Sequence, residues 1–221
     1  MTSAPDRRPE NPRMHKHIPN FITMARLILT VIFFLVLNLH EQGTFYRNMW
    51  AAFVIFLLAV STDWIDGYLA RKWKVESAFG RVVDPFADKI MICGSFVFFA
   101  SHDFVNIEQA RLVFGPSEPP ISILTGVVPW MAVVLIGREF LITGIRGLAE
   151  SRGIDFRADW AGKIKMGVQC VAVGAVLFNV ATHWSMAWVW WVRDLSIWIT
   201  LFVTVASAVN YIIRARRLIR E

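Results

Sequence analysis

Long apolar segments separated by short polar ones run along most of the chain. The apolar segments cover residues 21–39, 50–70, 84–101, 121–145, 160–181 and 186–213. An α-helix rises about 1.5 Å per residue, so each segment is long enough to cross a hydrocarbon core of about 30 Å. The pattern therefore predicts an all-α membrane protein with six transmembrane helices.

The N-terminal arm differs from these segments in composition. It is polar and carries four prolines among charged residues, which is typical of disorder over its first dozen residues. Its end, residues 15–26, is predicted to form a short amphipathic helix at the lipid surface. We therefore divide the chain into a basic arm with its juxtamembrane segment (1–20), a six-helix transmembrane domain (21–213) and a basic tail (214–221).

Basic residues are concentrated on one predicted side of the membrane. Most of the 23 lysines and arginines lie in the arm, in the second-to-third connection, in the fourth-to-fifth connection and in the tail. Short loops rich in these residues stay on the cytoplasmic side, so both termini are predicted to be cytoplasmic, and a bacterial inner membrane is the simplest location. The net charge of +6 sits beside the membrane rather than on one globular face, which favours anionic lipid over nucleic acid as its partner.

Several other residue types are expected to serve the fold rather than the chemistry. The five histidines fall in tails and outer loops, and the two cysteines lie in apolar segments without a pairing pattern. Glycines of the fourth and fifth segments are predicted to let helices approach closely. They are Gly144, Gly147, Gly162, Gly167 and Gly174.

Four carboxylates stand where the second and third apolar segments meet. Asp63 and Asp66 are three residues apart, and Asp84 and Asp88 are four apart, so each pair projects from one face of a helix. Four neighbouring carboxylates cannot all stay ionised without cations between them. Since no histidine or cysteine accompanies them, their hard oxygen ligands favour Mg²⁺, Mn²⁺ or Ca²⁺ over zinc.

The residues between the aspartates suit a phosphate ligand. Gly67 lets a ligand approach the backbone closely, and Arg71 offers a planar fork of donors to a phosphate. Ser77 offers a hydroxyl group, and Gly80 keeps the start of the next helix open. Metal ions that bridge phosphate oxygens are a common device of phosphoryl transfer. The stretch therefore predicts an enzyme that acts on a phosphate compound.

The spacing D-x2-D-G-x2-A-R-x8-G-x3-D-x3-D, which covers residues 63–88, resembles the signature of the CDP-alcohol phosphotransferase family at all of its positions. The resemblance implies that Asp63, Asp66 and Asp84 ligate two divalent cations, Mg²⁺ or Mn²⁺, and that Asp88 touches one of them and acts as general base. It further implies a site for the CDP moiety of CDP-diacylglycerol. That site comprises Asp66, Gly67, Arg71, Ser77 and Gly80.

The signature does not identify the alcohol that accepts the phosphatidyl group. Residues 18–26, 138–150 and 160–165 are similar to the branch of the family that uses glycerol 3-phosphate, and family members suggest a homodimer. An acceptor with its own phosphate needs cations near the metals, and Arg138, Arg146 and Lys163 lie at the expected membrane face. Inositol phosphate is the alternative acceptor, because it would need similar cations.

Two other classes of protein remain open from the residues alone. A cation-coupled transporter would also hold aspartates within the membrane, but its ion site would lie near the midplane, between repeated halves. Here the aspartates lie at one membrane face, and the sequence shows no internal repeat. A scaffold that retains a metal-binding cluster without catalysis is the other possibility.

Overall fold

The computed structural model describes residues 18–39, 44–73, 78–101, 125–152, 160–182 and 187–220. Within these ranges the chain forms six α-helices and no strand, which confirms the predicted all-α class. In chain order they are α1 (Ile18–Leu37), α2 (Phe45–Trp73), α3 (Ala78–Phe99), α4 (Pro129–Ser151), α5 (Trp160–Ala181) and α6 (Ala187–Arg220).

The first helix differs from its prediction. The amphipathic segment predicted over residues 15–26 is not a separate helix from residue 18 onward but the first part of α1, and residues 15–17 lie outside the described part. Arg26 is 1% exposed, so its side chain is buried in the protein rather than lying at the lipid surface. The Thr30 hydroxyl donates a hydrogen bond to the Arg26 carbonyl at 2.9 Å, within an uninterrupted helix.

The fourth helix begins later than the predicted residue 121. Gly126 has a φ of 72°, in the left-handed region that favours glycine, and this turn precedes the helix. The Thr125 hydroxyl donates to the Phe99 carbonyl at 2.7 Å and accepts from the Val127 amide at 3.2 Å, which ties the turn to the end of α3. Pro129 then starts α4, where its missing N–H has no intrahelical partner to lose.

A buried arginine of α6 packs against this turn. Arg193 is 3% exposed; its Nε donates to Asp194 Oδ1 at 2.7 Å and its Nη1 donates to Asn179 Oδ1 on α5 at 3.2 Å. A Cβ added to Gly126 would lie 2.8 Å from Asp194 Oδ1 and 3.0 Å from Arg193 Nε. The turn therefore packs so closely on the ion pair that only glycine fits without displacement.

Aromatic side chains fill the spaces between the first helices. The rings of Phe33 on α1 and Phe56 on α2 are both buried, with their centroids 6.0 Å apart. Phe34 on α1 stacks on Phe98 of α3 at 5.3 Å. A Cβ added to Gly94 on α3 would overlap Phe34 Cζ, so this glycine allows α1 and α3 to approach. The sequence pattern did not single out Gly94.

The glycines that the sequence did single out behave differently. A Cβ added to Gly174 would lie in ordinary contact with Phe56 and Phe53 of α2, as a packing role requires. At Gly144, Gly147, Gly162 and Gly167 a Cβ would meet nothing within 4 Å. The predicted close approach of helices at these four positions is therefore wrong for the described part of the chain, because each of the four glycines faces open space there.

Helix α6 has its polar residues inside and its apolar residues outside. Thr200, Thr204, Ser207 and Tyr211 recur every three or four residues and are at most 5% exposed, whereas Phe202 is 74% exposed. Polar residues in membrane helices face the protein interior in this way. Apolar stretches long enough to cross a membrane lie at Phe45–Thr62, Ile164–Ala181 and Trp188–Ile213, with shorter ones at Thr23–Leu37 and Lys89–Phe99. The chain is a membrane protein.

The last two helices can be compared with the predicted bounds of their segments. Helix α5 has the predicted bounds of 160 and 181. Helix α6 continues past residue 213 to Arg220, so the described part of the basic tail is helical and extends α6 without a break.

Candidate active site

The four aspartates of the predicted metal site lie in two helices. Asp63 and Asp66 belong to the last part of α2, and Asp84 and Asp88 to the first half of α3. The helical backbone that the predicted spacing requires is therefore present at both pairs. Their side chains lie outside the described residues, so the meeting of the four carboxylates stays a prediction.

The short connection between α2 and α3 limits how far apart the two aspartate-bearing helix ends can lie. Helix α2 ends at Trp73 and α3 begins at Ala78, which limits the distance between their Cα atoms to about 19 Å at 3.8 Å per step. Helix α2 runs antiparallel to α5, because Trp50 contacts Phe178 at a ring distance of 5.7 Å and Phe56 lies beside Gly174. The end of α2 that carries the aspartates is therefore directed toward the start of α5.

The other residues of the predicted nucleotide and phosphate sites are placed only by their backbones. Gly67 and Arg71 lie in α2, Gly80 in α3 and Lys163 in α5. Ser77 lies outside the described residues, as do the side chains of Arg71 and Lys163. Their contacts with a ligand stay predictions.

A buried group of charged residues joins the last three helices, and we call it the Glu139 cluster. It consists of Arg138 and Glu139 on α4, Lys165 on α5 and Ser207 on α6. Arg138 Nη1 donates to Glu139 Oε1 at 3.0 Å, and Lys165 Nζ donates to the same oxygen. Arg138 Nη2 donates to the Ser207 hydroxyl at 2.9 Å. One carboxylate oxygen thus binds two cations.

The Glu139 cluster carries a surplus of positive charge. Its three ionic side chains are Arg138, Glu139 and Lys165, at 8%, 9% and 8% exposure, and with all three ionised they sum to one net positive charge. Among the described residues, the buried Nε of Arg138 has no hydrogen-bond partner. Buried charges are normally paired because their removal from water is costly. The cluster is therefore suited to binding an anion.

Arg146 lies eight residues, about two helical turns, after Arg138 on α4 and is held by the same neighbouring helix. Its Nη2 donates to the Tyr211 hydroxyl at 2.9 Å, and its Cζ lies 5.6 Å from the centroid of the Tyr211 ring. A guanidinium above an aromatic face gains a cation–π attraction. Ser207 and Tyr211, one turn apart on α6, therefore fix the two arginines of α4.

A second connection joins α4 to the helix of Asp84 and Asp88. Lys89 Nζ on α3 donates to the Thr143 hydroxyl at 2.6 Å, and Thr143 donates to the Glu139 carbonyl at 2.7 Å. Position 88 is the neighbour of Lys89 in the chain. The backbone that carries the predicted base is therefore fixed beside the helix that carries the Glu139 cluster.

Sequence reasoning missed several members of this arrangement. Glu139 is an acid within an apolar segment, and its bonds to both Arg138 and Lys165 were not predicted. Thr143, Ser207 and Tyr211 were not identified. The polar positions of α6, repeated every three or four residues in an apolar helix, are the signal that would have found Ser207 and Tyr211.

The donor chemistry of positions 63, 66, 84 and 88 fits a hard divalent cation, because carboxylate oxygens are the usual ligands of Mg²⁺ and Mn²⁺. Among the side chains that the structure does describe, no three histidine, cysteine, aspartate or glutamate residues could share a metal ion.

Comparison with known proteins supports the resemblance of the signature. A sequence profile of the CDP-alcohol phosphatidyltransferase family matches residues 16–210. A Bacillus subtilis protein named CDP-diacylglycerol–glycerol-3-phosphate 3-phosphatidyltransferase is 29% identical over 204 residues, which cover 88% of this chain and 93% of that protein. Proteins of the same name from Haemophilus influenzae and Rickettsia felis are 29% and 25% identical, each over 90% of this chain and 93% and 95% of their own lengths.

Proposed function

The chain belongs to the CDP-alcohol phosphatidyltransferase family, and from this premise we propose that it transfers the phosphatidyl group of CDP-diacylglycerol to glycerol 3-phosphate. The products are phosphatidylglycerol phosphate and CMP, so the protein is a transferase of phospholipid biosynthesis. The observation that carries the choice of acceptor is the agreement with relatives named for this reaction over about nine-tenths of the chain, 88% and 90% in two cases.

The acceptor's phosphate is bound by cations of α4 and α5. Arg138, Arg146 and Lys163 take this role, and Arg138 and Arg146 lie two turns apart on one helix. The surplus positive charge of the Glu139 cluster supports the assignment, because a phosphate supplies the negative charge that the cluster lacks. Acceptors without a phosphate gain nothing from it.

The nucleotide of CDP-diacylglycerol is bound along the turn from α2 to α3. The residues that hold it are Asp66, Gly67, Arg71, Ser77 and Gly80. The two glycines lie in helices, where the lack of a side chain lets a ligand approach the backbone. Arg71 holds a phosphate through its planar set of donors.

Asp63, Asp66 and Asp84, together with Asp88, would hold two divalent cations, Mg²⁺ or Mn²⁺. When bound, these cations would offset the negative charge of the phosphate groups. Asp88 accepts the proton of the primary hydroxyl of glycerol 3-phosphate. The oxygen of that hydroxyl bonds to the phosphorus attached to diacylglycerol, and the bond from this phosphorus to the CMP oxygen breaks. CMP leaves with the electron pair of that bond.

The chain spans a bacterial inner membrane six times, as one catalytic domain over residues 21–213 with both termini and the active site on the cytoplasmic side. The apolar outer face and polar inner face of α6 support this immersion. The protein also forms a homodimer. Gly137 and Gly144 support this, because they lie seven residues apart on an exposed part of α4 where a second helix could approach closely.

One assay tests the proposed function. Purified protein receives CDP-diacylglycerol, Mg²⁺ and, in parallel reactions, glycerol 3-phosphate, inositol phosphate, serine or no alcohol. We expect CMP release and phosphatidylglycerol phosphate only with glycerol 3-phosphate, and no CMP release after chelation of divalent cations until Mg²⁺ or Mn²⁺ is restored. A lipid product formed with inositol phosphate but not with glycerol 3-phosphate would show that the proposed acceptor is wrong. Undiminished turnover with excess chelator would show that the reaction does not need divalent cations.

A further inference from the structure

We infer that Glu139 is a positioning residue for the acceptor's phosphate, an inference that rests on the proposed function. Glu139 Oε1 accepts hydrogen bonds from both Arg138 Nη1 and Lys165 Nζ. Arg138 lies next to Glu139 on α4, whereas Lys165 comes from α5. A single carboxylate oxygen therefore sets the distance between two cations that belong to different helices.

The two cations need this acid to stay close together. Because both bind one oxygen atom, their charged groups lie within a few ångströms of each other. Like charges repel strongly at such distances away from bulk water. Removing the negative charge of Glu139 would leave Arg138 and Lys165, each 8% exposed, to repel each other. The relative position of α4 and α5 near the acceptor would then change.

The charges of the cluster are unbalanced. A buried pair of one cation and one anion has no net charge. Here two cations share one carboxylate, and the buried Nε of Arg138 has no partner among the described residues. A phosphate provides both the missing negative charge and oxygen atoms that accept hydrogen bonds. The cluster is therefore preassembled for an anion.

The cluster is also placed where the proposed reaction needs it. The carbonyl of Glu139 accepts from the Thr143 hydroxyl, which in turn accepts from Lys89 on α3. Lys89 follows the proposed base, Asp88, in the chain. An acceptor whose phosphate is bound at the Glu139 cluster therefore lies beside the helix that carries that base.

Glu139→Gln tests the inference, because glutamine keeps the size and a hydrogen-bond acceptor but loses the charge. The matched control is Asp194→Asn. Asp194 also follows a buried arginine in sequence and pairs with it, with 2.7 Å between Arg193 Nη2 and Asp194 Oδ1. This pair packs against the turn at Gly126 and is not part of the Glu139 cluster. Steady-state kinetics with each substrate varied in turn, and thermal unfolding in detergent, are measured for both variants and the wild type.

We expect Glu139→Gln to raise the KM for glycerol 3-phosphate about tenfold, with the KM for CDP-diacylglycerol changed less than about twofold. Asp194→Asn is expected to lower the unfolding temperature without changing the ratio of the two KM values. If Glu139→Gln unfolds at lower temperature yet leaves that ratio unchanged, or raises both KM values equally, the acid is only a brace and the inference is wrong.

Glu139→Asp provides a second test that does not depend on the folding of the glutamine variant. Aspartate keeps the charge but is one methylene shorter, so it cannot reach both cations in their present places. We expect the KM for glycerol 3-phosphate to be about threefold above that of the wild type. This value lies between the KM of the wild type and the KM expected for the glutamine variant. A wild-type value would overturn the inference. Failure of the wild type itself to use glycerol 3-phosphate would instead contradict the proposed function.

Discussion

The Lys89 ammonium on α3 donates a hydrogen bond to the Thr143 hydroxyl on α4 at 2.6 Å, across 54 residues of the chain. The Thr143 hydroxyl in turn donates a hydrogen bond to the Glu139 carbonyl. These hydrogen bonds directly link the helix that carries two of the aspartates to the helix that carries the two arginines. The hydrogen bond from Lys89 to Thr143 fixes the position of α3 relative to α4 next to Asp88, the proposed base.

Replacing Thr143 by valine should therefore slow turnover. Valine has nearly the same shape but offers Lys89 no oxygen, and hydrogen bonds to charged groups contribute about 1.5–3 kcal/mol when buried and less when exposed. Because Thr143 is exposed, we expect kcat to fall about three- to tenfold. The kcat is measured as the rate of CMP release at saturating concentrations of both substrates. Thr143→Ser keeps the hydroxyl and should retain most of the activity, whereas equal losses in both variants would argue against the hydrogen bond.

Asp88→Asn should nearly abolish turnover. The amide cannot accept the proton of the acceptor's hydroxyl, and loss of a general base reduces rates by at least about 100-fold. Binding of CDP-diacylglycerol should change little, because the other three aspartates and the nucleotide-binding residues remain. CMP release and binding of the liponucleotide are measured on the same preparation. A variant that turns over at the normal rate would show that Asp88 is not the base.

Arg146→Ala should raise the KM for glycerol 3-phosphate about tenfold and leave the KM for CDP-diacylglycerol nearly unchanged. Arg146→Lys keeps the charge but loses the planar fork and the stacking on Tyr211, so we expect only partial recovery. Tyr211→Phe keeps the ring and removes the hydroxyl that accepts from Arg146 Nη2, and its effect should be smaller than that of Arg146→Ala. A change confined to the KM for CDP-diacylglycerol would assign Arg146 to the nucleotide instead.

Gly126→Ala should destabilise the fold. The φ of 72° is unfavourable for alanine by about 1–2 kcal/mol, and the new Cβ would press on Asp194 Oδ1. Thermal unfolding in detergent should show a lower midpoint. Gly167→Ala on α5 is the matched control, because a Cβ there meets nothing within 4 Å in a helix, where alanine is favoured over glycine by about 0.5–1 kcal/mol. Similar midpoints for the two variants would contradict the close packing at Gly126.

Predictions from the sequence succeeded where the signal is local. The bounds of α5 match the apolar segment at both ends, and the helical backbone at positions 63, 66, 84 and 88 has the spacing that the aspartate pairs require. The predicted start of α4 was wrong because residues 121–128 are as apolar as the membrane-spanning helices, so hydropathy could not reveal the turn. The positive φ of Gly126 and the hydrogen bonds of Thr125 decide it.

Partners between helices were beyond the sequence pattern. Arg138 was predicted to bind a phosphate, but nothing along the chain indicated that it would also share the carboxylate of Glu139 with Lys165, 26 residues later, or bind Ser207, 69 residues later. Nor did the pattern indicate that Arg193 would be buried in α6, where Asp194 and Asn179 provide its partners. The glycines of α4 and α5 were predicted to let helices approach closely, although within this chain most of them face open space.

The sequence by itself determined the helical class, the immersion in a membrane and the family, because apolar length and the fixed spacing of the signature residues can both be counted along one chain. The tertiary structure alone decided which charges meet. The rotation and depth of each helix are set by packing with its neighbours, as where Phe34 fits against Gly94, and a shift of one residue turns a helical side chain by about 100°. Glu139 therefore became the shared partner of two cations only when α4, α5 and α6 were packed together.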